Sequence, residues 1–185
     1  MLYPQVWQIC WDKKRARLSE KKSTMKYITV SDEDIDFVAS KWLLETALNS
    51  GCDSFSFDLE SVGCIESQQV QSTLLDSLRP HYIGSHTLEK LVVYNPAPNV
   101  QNQDCWEFNR DTLRVIMDYM GRHLLDWDVA LNSGIKNWRF FKQWRLKAGA
   151  AYDDDYFIFI EPPARLVEIL ERKNIPLLHS KVSSD

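Results

Sequence analysis

No apolar run in this chain of 185 residues approaches the ~18 consecutive residues that a membrane-spanning helix needs, so no membrane partner is expected. The phosphate-cradling motifs are missing as well: there is no GxGxxG and no P-loop, which removes the usual nucleotide sites. No GxSxG elbow exists to seat a nucleophilic serine, and His81, His86, His123 and His179 are too scattered to assign a Ser–His–Asp order. Cys10, Cys52, Cys64 and Cys105 form no CxxC pair, and their gaps are wide and irregular. That excludes zinc ligation at the usual spacing and favours reduced thiols, hence an intracellular protein, cytoplasmic or nuclear. Asp153, Asp154 and Asp155 are adjacent, so their carboxylates cannot all face one ion, and no EF-hand spacing or glycine follows. They read as a solvated turn. No cofactor and no metal is expected from these absences.

What is present describes a globular chain. Hydrophobic residues make up 44% and aromatics 12%, with seven Trp, enough for one domain with a sizeable core. The net charge of −4 argues against a general nucleic-acid or membrane-surface binder, while leaving room for a local basic patch. The apolar start MLYPQVWQICW has its cations after it (Lys13, Lys14, Arg15, Arg17), the reverse of a signal peptide. Residues 1–25 therefore read as a basic, partly ordered arm, 26–179 as a single α/β domain, and 180–185 as a loose tail. Met25 offers an alternative start to Met1.

Along the domain, helical and strand-like segments alternate. Tyr27 to Val30 is β-like. Ser31 suits a helix N-cap ahead of Asp32, Glu33 and Asp34, and Ile35, Val38, Trp42, Leu44 and Leu48 form the helical stripe. Residues 54 to 62, SFSFDLESV, alternate Phe55, Phe57 and Leu59 inward with Ser54, Ser56, Asp58 and Glu60 outward. Val70, Leu74, Leu75 and Leu78 mark a second helix that stops at Pro80. Residues 87–95 read as a strand and 96–105 as a loop. Asn109 caps a third helix whose core face is Leu113, Ile116, Met117, Met120 and Leu124. Residues 127–131 are a short strand candidate. Tyr156 to Ile160 is too apolar for a one-sided strand and reads as central; Pro162-Pro163 opens a last helix carrying Leu166, Val167, Ile169 and Leu170. The alternation predicts a mostly parallel sheet flanked by helices.

The densest functional signal is Lys136 to Lys147. Lys136, Arg139, Lys142, Arg145 and Lys147 are interleaved with Trp138, Phe140, Phe141 and Trp144. Trp138, Phe141 and Ala148 fit a helix, whereas Trp138, Phe140, Trp144 and Leu146 alternate as in a strand. Asn137 and Gly149 look like caps and favour the helix. Trp and Arg are the commonest interface anchors, so Trp138, Arg139, Lys142, Trp144 and Arg145 are the candidate partner-binding residues. At least one of the two Trp should be exposed. Nucleic acid ranks behind a protein partner here.

Phe57 to Gly63, FDLESVG, places two carboxylates, Asp58 and Glu60, two apart on a strand, the spacing that holds a divalent ion in metal-dependent nucleases. It resembles the first motif, DxE(T/S)xG, of the DEDD exonucleases. That resemblance implies a Mg²⁺-dependent nuclease with Asp58 and Glu60 as metal ligands. It calls for further carboxylates, for which Asp126 or Asp128 and Asp153 or Asp154 stand available at poor spacings, with Tyr152 ahead of the triplet. Residues 74 to 95, LLDSLRPHYIGSHTLEKLVVYN, are similar to a leucine-rich-repeat step, with Leu88, Leu91 and Val93 near the LxxLxL positions and Asn95 near the repeat's Asn. More specifically, the segment resembles the C-terminal associated (FTH-type) domain of nematode F-box proteins, over about 40 residues when SFSFDLESV is included. The chain departs from that family in residues 1–50, which show no F-box pattern. The resemblance implies a partner-binding module without catalysis. The expectation is thus a non-catalytic protein–protein interaction module or adaptor, with the DEDD-type nuclease as the alternative.

Overall fold

The computed structural model describes residues 27–31, 35–89, 100–120, 133–151 and 156–181. The basic arm, Leu124, the strand expected over 127–131, the acidic triplet and residues 90–95 of the expected strand lie outside these ranges.

Eight strands and four α-helices are formed by the described residues. Strand β1 (Tyr27–Ser31) leads to helix α1 (Phe37–Asn49), and β2 (Ser54–Leu59) to α2 (Ile65–Leu78). A 3₁₀ turn over Arg79–His81 then enters β3 (Tyr82–Glu89), followed by β4 (Val100–Glu107) and α3 (Arg110–Tyr119). The chain closes with β5 (Ile135–Lys142), β6 (Arg145–Ala151), β7 (Tyr156–Ile160), α4 (Ala164–Arg172) and β8 (Leu177–Lys181). Ser180 and Lys181 therefore belong to a strand, not to a tail.

The sheet order is β3-β4-β2-β5-β6-β7-β1-β8, and every neighbouring pair is antiparallel. This corrects the expected mostly parallel sheet: the fold is α+β. The alternation of strands and helices is nevertheless present. Helix α2 carries the chain from β2 to β3, which run in the same direction, but β4 is inserted between them. Likewise α3 joins β4 to β5 across β2, and α4 joins β7 to β8 across β1. Each crossover is split by an antiparallel strand from elsewhere. Sequence period reports the crossover and not the inserted strand.

All four helices pack on one face of the sheet. Leu43, Leu44 and Ala47 of α1, Leu74 and Leu78 of α2, Leu113 and Ile116 of α3, and Leu166 and Leu170 of α4 share one cluster with Phe55, Phe57, Trp106, Trp138 and Phe140. Aromatic contacts bind the strands within it. The Phe57 and Trp106 rings stack at 4.6 Å, and Phe108 meets Phe140 at 4.8 Å. Each such pair contributes about 0.5–1.5 kcal/mol beyond its area burial.

Local signals explain most element ends. Asn109 accepts from the Asp111 and Thr112 amides at 2.9 and 3.0 Å, and Thr112 Oγ1 accepts from the Asn109 amide at 2.9 Å, closing a capping box on α3. Leu113, Ile116 and Met120 are buried as expected, and Met117 packs at the edge of the core. Helix α1 is capped by Asp36, whose carboxylate accepts from the Ala39 amide at 2.7 Å, and not by Ser31. Its buried face is Ala39, Ser40, Leu43, Leu44 and Ala47, so the expected stripe is rotated and Val38 is 62% exposed. Residues 100–105, expected as loop, form most of β4. Its polar run VQNQD hides the strand, because only Gln103, Cys105 and Trp106 of β4 are buried.

The second face of the sheet carries a smaller apolar cluster of Leu88, Cys105, Phe141, Leu146, Tyr156, Ile158 and Ile160. Ser54 and Ser56, expected to face solvent, are 2% and 0% exposed on this side. The sheet curls over this face: the imidazole of His86 on edge strand β3 stacks on the indole of Trp144 beyond β5, with ring centres 3.8 Å apart.

Candidate functional site: the β5–β6 hairpin

Lys136 to Lys147 is a β-hairpin and not the helix that Asn137 and Gly149 favoured. In β5, Trp138 and Phe140 enter the main core, while Arg139 and Phe141 point to the second face. Period-2 burial of both faces explains how five cations sit in an aromatic-rich segment. Asn137 marks no helix start; it lies within β5 with φ of 55°, beside the register shift of β2 against β5.

Of the five candidate partner-binding residues, two are interior. Trp138 is 2% and Arg139 1% exposed, so neither offers surface to a partner in this fold. Lys142, Trp144 and Arg145 are exposed, and Trp144 is 43% accessible. These three sit together at the hairpin tip, where Lys142 pairs with Arg145 across the two-residue turn Gln143-Trp144. Both turn residues have positive φ, 50° and 64°. That is the type I′ pattern, which favours Asn-Gly because a Cβ in the left-handed region clashes with the backbone. Three contacts hold the tip. The Gln143 amide donates to Asp53 Oδ2 at 3.0 Å, Lys142 Nζ donates to the Ser50 carbonyl at 3.1 Å, and Trp144 stacks on His86.

Arg139 pairs with Asp58, one of the two residues singled out as metal ligands. Asp58 also accepts from Asn137 Nδ2 at 2.9 Å and Gln101 Nε2 at 3.3 Å. The Arg139 side chain is 2% exposed against 34% for Asp58, and its Nε is buried without a hydrogen-bond partner. Burial lowers the Arg139 pKa from its usual value, and Asp58 opposes that shift. Glu60 is held elsewhere, 2.7 Å from Lys136 Nζ. The two carboxylates thus face separate cations. Among the described residues no group of three His, Cys, Asp or Glu converges on a metal-sized space; Asp126, Asp128, Tyr152, Asp153 and Asp154 lie outside them.

The cysteines hold no site among the described residues. Burial pushes the Cys52 thiol up to about 12 and the Cys105 thiol up to about 11, while Cys64 is exposed and caps α2. No helix among the described residues is long and apolar enough to cross a membrane. No protein-family model, no curated protein and no solved structure matches the chain.

Sequence reasoning did not find the turn, because Gln-Trp carries no turn signal. It also did not find that Trp42 and Glu45 of α1 and Arg165 and Ile169 of α4 line one hollow, which depends on how two helices distant in sequence lie on the sheet.

Proposed function

We propose that the chain is a non-catalytic protein-binding module, an adaptor whose contact surface is the hairpin tip formed by Lys142, Trp144 and Arg145. The observation that carries this reading is the conformation of Trp144. A bulky residue in the left-handed region costs on the order of 1–2 kcal/mol relative to glycine. The turn itself is available to Asn-Gly without that cost. A large indole kept there, 43% exposed and flanked by two cations, combines strain with the residue types that anchor protein interfaces. Among the described residues neither Arg145 nor Lys142 forms an ion pair, so both exposed cations add positive charge at the tip that can steer a partner. The FTH-type resemblance implies the same class of function.

The nuclease alternative is not carried forward, because Asp58 is engaged by Arg139, Asn137 and Gln101. The test is quantitative affinity capture with wild type, Trp144→Ala and Lys142→Glu/Arg145→Glu, all at matched melting temperature. Proteins captured by wild type and lost from both variants support the reading. Identical capture by all three overturns it, as does Mg²⁺-dependent degradation of DNA or RNA that disappears in Asp58→Asn.

A further inference from the structure

A trough runs between α1 and α4, on the helical side of the sheet. It consists of two hollows of about 630 and 570 Å³ that meet at Trp42 and Glu45. We propose that this trough is a second docking surface and that it takes an acidic amphipathic helix from a partner protein. The inference rests on the reading of the chain as a protein-binding module, but it concerns a second surface, which shares Lys142 with the tip and neither Trp144 nor Arg145.

Charge and shape together select the occupant. The walls offer apolar contacts from the half-buried Trp42, Ile169 and Ile175, and Val38 stands 62% exposed at one end. The edges carry five cations, Lys41, Lys142, Lys147, Arg165 and Lys173, against three carboxylates. This excess occurs on a chain whose net charge is −4. The carboxylates are largely committed: Asp36 caps α1, and Glu161 is bound by Lys147, which holds its carboxyl below the usual range. Among the described residues Lys41, Arg165 and Lys173 form no ion pair. The complementary ligand therefore places apolar side chains along its centre and carboxylates on its flanks. Helix α1 spans 13 residues, about 20 Å at 1.5 Å per residue, which matches three to four turns of a docked helix. A nucleic acid shares the negative charge but has no use for the apolar walls, and it would meet Glu45 in the middle of the trough.

The experiment is fluorescence anisotropy with the full chain and three labelled probes. The first is a synthetic helical peptide of about 14 residues with Leu at i, i+3, i+4 and i+7 and Glu on both flanks. The second has Lys in place of every Glu, and the third is a single-stranded oligonucleotide. The acidic peptide is expected to bind and the lysine peptide not to. Lys41→Glu/Arg165→Glu should weaken the acidic peptide about ten-fold and improve the lysine peptide. Val38→Asp, at an exposed position that folding tolerates, should weaken it as well. No binding of the acidic peptide, equal binding of both peptides, or tighter binding of the oligonucleotide overturns the proposal. The capture experiment with Trp144→Ala separates the two surfaces. Capture lost there with no peptide binding here removes the trough alone; peptide binding here with capture indifferent to Trp144 removes the tip alone.

Discussion

Replacing Asp58 with alanine strands the guanidinium of Arg139. The Arg139 side chain is 2% exposed, its Nε already lacks a partner, and Asp58 is its ion-pair partner among the described residues. Removing one member of a buried pair costs about 3–5 kcal/mol, because the remaining charge is left desolvated. Asp58 is itself a third exposed, so water can enter where its carboxylate stood, and the expected loss lies near the lower end, about 3 kcal/mol. In a domain of this size that corresponds to a fall in Tm of about 2–4 °C per kcal/mol. Arg139→Met should be milder, since a methionine fills much of the same space without a charge. The double variant Asp58→Ala/Arg139→Met should be more stable than Asp58→Ala alone, and that inversion is the signature of a buried pair. Urea unfolding followed by the fluorescence of the buried Trp106 and Trp138 measures all four corners. A carboxylate pair kept ready for a cation would give the opposite result, because Asp58 and Glu60 would repel each other and Asp58→Ala would stabilise the protein. A loss under about 0.5 kcal/mol for Asp58→Ala, or no recovery in the double variant, would refute the pairing.

Gly134→Ala is expected to destabilise by about 1–3 kcal/mol, since φ of 68° is strained for any Cβ and that atom would lie 2.6 Å from the Glu60 carbonyl oxygen; a Tm unchanged from wild type would contradict it. In a Cys10→Ser background at pH 8, a thiol reagent should modify Cys64 promptly, and Cys52 and Cys105 only on unfolding; fast reaction of all three would show an open core. The same burial sets a pH dependence. Folded pKa values raised to about 12 and 11 stabilise the native state fully below the usual thiol value, and that contribution is lost as pH rises from about 9 toward them. Cys52→Ala/Cys105→Ala should flatten the alkaline fall in unfolding free energy.

Much of the secondary structure was legible because it is written in short-range chemistry. The Asn109 box, the apolar period of α3, the inward Phe55 and Phe57 and the apolar run of β7 each act over a few residues, whereas Leu59, expected inward, is 49% exposed. The sheet was not legible for a specific reason. Parallel and antiparallel orders share the same alternation of strand and helix when each crossover spans an inserted strand. β4 was lost because its second-face positions are Gln101, Gln103 and Cys105, amides and a thiol serving a buried polar cluster, where solvent polarity was read instead. The hairpin was misread for a related reason. Arg139 is interior, so its charge broke the hydrophobic period of β5, and the Gln-Trp turn offered no glycine or asparagine to mark the reversal. Asp58 and Arg139 both stood out in the sequence, in two unrelated hypotheses; the fold brings them together as one pair.

Site-specific photo-crosslinking asks directly whether the hairpin tip meets another protein. A benzophenone amino acid is placed at position 144, and at the exposed position 76 on α2 as a control, in otherwise wild-type protein. Crosslinks at 144 to a small, reproducible set of proteins, reduced by Lys142→Glu/Arg145→Glu and absent from position 76, are the expected result. Equal, diffuse labelling from both positions, unaffected by the charge reversals, would contradict it and leave Trp144 a strained surface residue without a partner.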